Sequence, residues 1–170
     1  LAEQRDNLTG VIYFCFEEGE EDGRGILAML NQLSAHGVDV CWGIHVYAGL
    51  ESGKICVSAG PRMAGAAGVG IKVIGRGGHG SQPQNTTDPV LAAAQMIVMM
   101  QQIVARRVDP MEMAVFSLGS IHGGDAPNVI PAEVKFGGVT RAYSESVRSV
   151  IKEQVQAIAK GIEAASGNTV

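Results

Sequence analysis

The chain has 170 residues, of which 46% are hydrophobic and 18% charged, and it carries a net charge of -4. That composition fits one ordinary domain or two small ones rather than a disordered chain, and the acidic balance argues against nucleic acid as a partner. Three cysteines at scattered spacings make no disulfide framework, so a reducing, cytoplasmic setting is expected. No signal peptide and no uninterrupted apolar run long enough to cross a bilayer appears, so no membrane partner is expected.

In chain order, Leu1 opens without an initiator Met and Val170 stops just after a helix, so the sequence reads as an internal piece of a longer protein. The apolar run Val11–Phe16 predicts a buried strand that ends in the carboxylates Glu17 and Glu18, within an acidic stretch reaching Asp22. A helix follows over 23–35, with Ile26, Leu27, Leu30 and Leu33 at helical spacing and Gly37 past its end. A second buried strand is expected over 40–46 and carries His45. Strand, helix and strand over residues 11–46 match a right-handed crossover unit in a parallel sheet. Ligands of such sheets sit beyond the carboxyl ends of strands, where Glu17, Glu18 and His45 lie.

A short strand is expected over 54–58, and the small, loosely anchored stretch from Gly60 to Gly68 suits a hinge. We therefore divide the chain into a first domain over 1–66 and a second over 67–170. In the second, strands are predicted over 69–75, 114–121 and 132–142, with Val134, Phe136, Gly138 and Thr140 on one side of the last. Asp88-Pro89 starts a helix running to about Arg106. Ser144 caps a final helix to about Ala165, with Val147, Ile151, Val155, Ile158 and Ile162 in one stripe. The order is that of a ferredoxin-like unit lacking its last strand. The fold class is thus α/β: part of a catalytic domain with parallel strands, then a ferredoxin-like α+β lid.

Imidazole and carboxylate are good ligands for zinc and similar ions. Glu17, Glu18 and His45 are the candidate ligands, and of two neighbouring carboxylates one can hold a metal while the other moves a proton. The alternative is that 17–22 is merely the acidic first turn of a helix. His79 sits in Gly77-Gly78-His79-Gly80, where glycines leave the ring accessible; a tight turn with an incidental His is the other reading. A phosphate-cradling loop is the weaker reading, because no Lys-Ser or Lys-Thr follows the glycines and the nucleotide signature is absent. Asn128 either binds a substrate carbonyl or closes a turn. Arg141, at a strand end, either grips a carboxylate or is solvated. Cys15, Cys41 and Cys56 read as core residues. The helix over 90–104 is apolar nearly all round and should be buried or form an interface.

Five motifs occur in order: Phe16-Glu17-Glu18-Gly19, Gly43-Ile44-His45-Val46, Gly77-Gly78-His79-Gly80-Ser81-Gln82-Pro83, Asp88-Pro89-Val90, and Gly119-Ser120-Ile121-His122-Gly123-Gly124 with Asn128-Val129-Ile130-Pro131. Together they resemble the amidohydrolase branch of the aminoacylase and carboxypeptidase family of dinuclear-metal peptidases, which includes hippurate and auxin-conjugate hydrolases. The resemblance implies hydrolysis of N-acyl amino acids or related small peptide-like amides, with two divalent metals, zinc first and manganese, cobalt or nickel as alternatives. It implies Glu17 as general base, Glu18 and His45 as metal ligands, and His79 as a lid histidine that, in family dimers, can reach the partner's active site and stabilise the tetrahedral intermediate. Asn128 and Arg141 become substrate contacts, and the lid becomes a homodimer interface. The family's upstream and downstream metal-ligand motifs do not occur. Cys15 and Phe16 stand where the branch often has Pro and Ala, and Ala48 where Pro is common. The alternative is a non-catalytic ligand-binding or dimerisation fragment of such a protein.

Overall fold

Residues 114–122 and 133–142 run antiparallel, and the second of them is the central strand of a three-stranded sheet. The computed structural model describes residues 2–20 and 23–170; Leu1, and Glu21 and Asp22 of the acidic stretch, lie outside the described residues. The chain divides into two units, Leu1–Cys56 and Val57–Val170.

In the second unit, β1 (Gly65–Ile74), β3 (Ala114–His122) and β5 (Glu133–Ala142) form an antiparallel sheet in the order β1-β5-β3. A two-strand ladder of β2 (Gly78–His79) and β4 (Val129–Ile130) stands apart from it. β5 alternates as expected, with Val134, Phe136, Thr140 and Ala142 buried. Helices α2 (Pro89–Met100), α3 (Gln102–Arg107) and α4 (Glu145–Ser166) contribute most of the core. Met96, Met100, Ile103 and Val73 are fully buried in it. By length and composition, 89–107 would also pass for a membrane span. Its buried stripe, Ala92, Ala93, Met96, Met100 and Ile103, instead joins the core formed with β5 and α4, as in a core helix.

The caps follow the sequence. Asp88 Oδ1 accepts from the N–H groups of Val90 and Leu91 at 2.8 and 3.2 Å, and Pro89 opens α2. Ser144 Oγ accepts from Val147 N–H, and Gly167, at φ 70°, closes α4 with its N–H on Glu163 O. The long helix predicted to Arg106 is broken at Gln101. There the side-chain amide donates to Ile97 O, the acceptor its own backbone N–H would take, and that N–H turns to Val98 O. The fourth ferredoxin-like strand is represented by one antiparallel pair: Ile74 and Thr169 exchange N–H···O bonds of 2.7 and 2.8 Å along the edge of β1 away from β5.

The first unit departs from expectation. Its described residues contain a 3-10 helix, Ala2–Asn7, and one α-helix, α1 (Ile26–Leu33), shorter than predicted. The strands expected over 11–16, 40–46 and 54–58 are not formed among the described residues, and with them the parallel sheet is missing. A strand exists by pairing its N–H and C=O groups with a neighbour. None of these segments pairs, and their apolar side chains stay exposed: Val11 at 76%, Phe16 at 92%, Val46 at 100%. Cys15, Cys41 and Cys56 lie in these segments and are exposed, not core.

Candidate active-site elements

Glycine spacing brings two sequence-predicted residues of the second unit together. His79 pairs with Val129 in the β2–β4 ladder, and Gly80 N–H donates to Asn128 O at 2.8 Å. The flanking glycines serve space: a Cβ at Gly77 would lie 2.6 Å from Ile130 O, one at Gly78 2.8 Å from Thr86 Cγ2, and one at Gly80 3.0 Å from Asn128 O. The loop is tied at its base. Arg76 and Thr87 exchange backbone bonds of 3.1 Å, Thr87 Oγ1 accepts a further 2.7 Å bond from Arg76 N–H, and Arg76 Nε donates to Asn85 O at 2.9 Å. His79 and Asn128 are both exposed, beside a cavity of about 460 Å³ lined by Gly80, Asp88 and the 123–131 loop. Sequence reasoning passed over Ser81. It contacts His79 Nδ1 through both Oγ, at 2.8 Å, and its backbone N–H, at 3.2 Å. The signal was a hydroxyl residue two positions after a histidine in a glycine turn.

Arg141 is not part of this group. It is exposed near the far end of β5, paired with Ala66 and Val115. The eight steps along the strand from Glu133 to Arg141 span roughly 26 Å at strand rise.

In the first unit, Glu17 is half-buried, while Glu18 and His45 are exposed. Glu18 packs its backbone on Gly25 at the start of α1, where a Cβ would fall 2.3 Å from Glu18 O. Residues 13–16 and 18 line one side of a cleft of about 330 Å³, with α1 residues and His36 on the other. Tyr13 and His36 meet there, ring centroids 4.7 Å apart. The donor types suit a divalent metal. Among the described residues, however, no three or more His, Cys, Asp or Glu side chains group to hold one. Glu18 and His45 therefore do not make a metal centre by themselves.

Residues 63–165 match the family model described as peptidase dimerisation domain, of the M20 type. The chain belongs to the M20 peptidase family. This M20 chain is 38% identical over 168 residues to an N-acyl-L-amino acid amidohydrolase of Geobacillus stearothermophilus, covering 98% of the chain and 45% of that relative. It is 34% identical over 158 residues to an IAA-amino acid hydrolase of Arabidopsis thaliana, covering 93% of the chain and 36% of the relative. The solved YXEP protein of Bacillus subtilis, described as a dinuclear metal binding peptidase of the M20 family, superposes with a TM-score of 0.66 at 27% identity, over 91% of the chain and 37% of that protein. The chain spans less than half the length of these relatives. Its mixed α/β second unit is the lid-type domain that the motifs predicted.

Proposed function

We propose that the full-length protein hydrolyses the amide bond of N-acyl amino acids or related small amides, with the second unit as its lid. The observation that carries this reading is the β2–β4 ladder, which holds His79 beside Asn128 on an exposed glycine loop of an M20 lid. Glu17 takes a proton from water and passes it to the leaving amine. His79 donates a hydrogen bond to the oxygen that becomes negative, Asn128 holds the substrate, and Arg141 grips a substrate carboxylate. Two divalent metals, zinc first, supply Lewis acidity when bound; Glu18 and His45 are the ligands offered here, completed by residues from elsewhere. A cytoplasmic setting suits the three exposed free thiols.

Glu17→Ala in the full-length protein is expected to abolish nearly all turnover of an N-acyl amino acid while bound metal, measured by elemental analysis, stays constant. Unchanged turnover would overturn the assignment.

A homodimer is part of the proposal. The outward face of α2 presents Val90, Leu91, Val98 and Met99 to solvent, with Val98 71% exposed. A helix apolar on both faces belongs between two bodies. The same observation favours the second reading, a dimerisation module without catalysis; the Glu17 variant separates the two.

A further inference from the structure

We propose that Ser81 is a positioning residue that sets the tautomer of His79, so that the ring meets substrate as an Nε2–H donor; this rests on the reading of His79 as the oxyanion's partner. Ser81 directs two groups at one ring nitrogen, its backbone N–H at 3.2 Å and its Oγ at 2.8 Å from Nδ1. A backbone N–H can only donate, so Nδ1 accepts with its lone pair and the neutral ring carries its proton on Nε2. The hydroxyl hydrogen, free to rotate, turns to the same lone pair.

The turn enforces the arrangement. Gln82 N–H donates to His79 O at 2.9 Å and closes the chain over residues 79–82, which keeps Ser81 against the ring. On the other side Gly80 N–H is held by Asn128 O at 2.8 Å. The ring itself is exposed and open to an approaching ligand. With Nδ1 engaged, the edge presented outward is an N–H. A tetrahedral intermediate needs such a donor beside its negative oxygen. The opposite tautomer would turn a lone pair toward that oxygen and repel it. No covalent bond is made or broken at His79; the proton stays on nitrogen.

Long-range nitrogen–proton NMR of His79 in the 170-residue chain, at a pH where the ring is neutral, reads the tautomer without metal or substrate. The Nε2–H form is expected in the wild type. Ser81→Ala keeps the N–H donor but loses Oγ, and is expected to admit a measurable share of the Nδ1–H form. Ser81→Thr keeps a hydroxyl and is expected to restore the wild-type spectrum. A wild-type ring mainly in the Nδ1–H form, or a Ser81→Ala spectrum identical to wild type, overturns the proposal. In the full-length protein Ser81→Ala is expected to lower kcat about 10-fold, the low end for loss of a partner that orients a functional histidine, with KM little changed. Spectra as expected with kcat unmoved would support the tautomer assignment and overturn the oxyanion role of His79.

Discussion

Glu133 illustrates how a single side chain on the open face of the sheet resolves a local conflict. The register sets Lys72 directly opposite Lys135, and Lys135 opposite His122. Like charges facing across strands destabilise the pair. Glu133 divides its carboxylate between the two lysines, with Oε1 2.8 Å from Lys135 Nζ and Oε2 2.9 Å from Lys72 Nζ. Hydrogen bonds from Lys135 first and Lys72 second pull its pKa from 4.5 down to about 2. A carboxyl depressed in the folded state stabilises it fully above its unfolded pKa; the contribution fades as pH falls from about 4.5 toward 2. All three side chains are well exposed, so the effect is modest and weakens with salt. Glu133→Gln is expected to lower Tm slightly at neutral pH, with the gap to wild type closing as pH drops through that window. Thermal unfolding followed from pH 7 to 2 checks this; a gap independent of pH would contradict it.

At the scale of elements, β5 decides whether the sheet closes. It pairs on both sides, and a register shift between Leu118 and Ser120 lets β3 continue past it. Gly138 lies at that shift. A Cβ there would fall 1.8 Å from Ser117 O and 2.7 Å from Leu118 Cα, both backbone atoms that cannot rotate away. Gly138→Ala is expected to push β3 off β5 and to destabilise the fold by about 1–3 kcal/mol, the usual cost of overpacking a tight site. A denaturant midpoint that moves down with the slope unchanged would report it. The elements legible in the sequence were those whose cause is local. Ser144 and the stripe of Val147, Ile151, Ile158 and Ile162 place α4 within a residue or two. The break at Gln101 was not legible, because it depends on where one amide side chain turns. The strands expected at 11–16 and 40–46 failed for the opposite reason. Their apolar patterns are strand-like, but pairing needs neighbours that the described residues do not supply. The residue types of the candidate site were readable throughout. The resemblance supplied separate roles for His79 and Asn128, but their adjacency was not legible, since a two-residue ladder joins segments fifty positions apart.

At the scale of the whole molecule, the separation of His79 and Arg141 constrains how a complete enzyme would be assembled. The two belong to one lid, yet Arg141 lies near the far end of β5 from the end that leads back to Asn128 and His79. From Glu133, at the end that leads back to Asn128, to Arg141 the strand runs roughly 26 Å, more than two side chains bridge around one small amide substrate. If both contact substrate, they do so in different active sites, and the exposed apolar face of α2 offers the means to bring two copies together. The consequence is complementation. Full-length His79→Ala and Arg141→Ala variants should each be nearly inactive as homodimers. A mixed dimer then holds one site with both residues intact and one with neither. Random exchange of equal amounts makes half the dimers mixed, so the mixture should regain about a quarter of wild-type activity, as two-fold symmetry requires. Light scattering establishes that dimers form, and turnover before and after subunit exchange gives the answer. No gain on mixing would mean that His79 and Arg141 serve the same site, or that one of them never touches substrate.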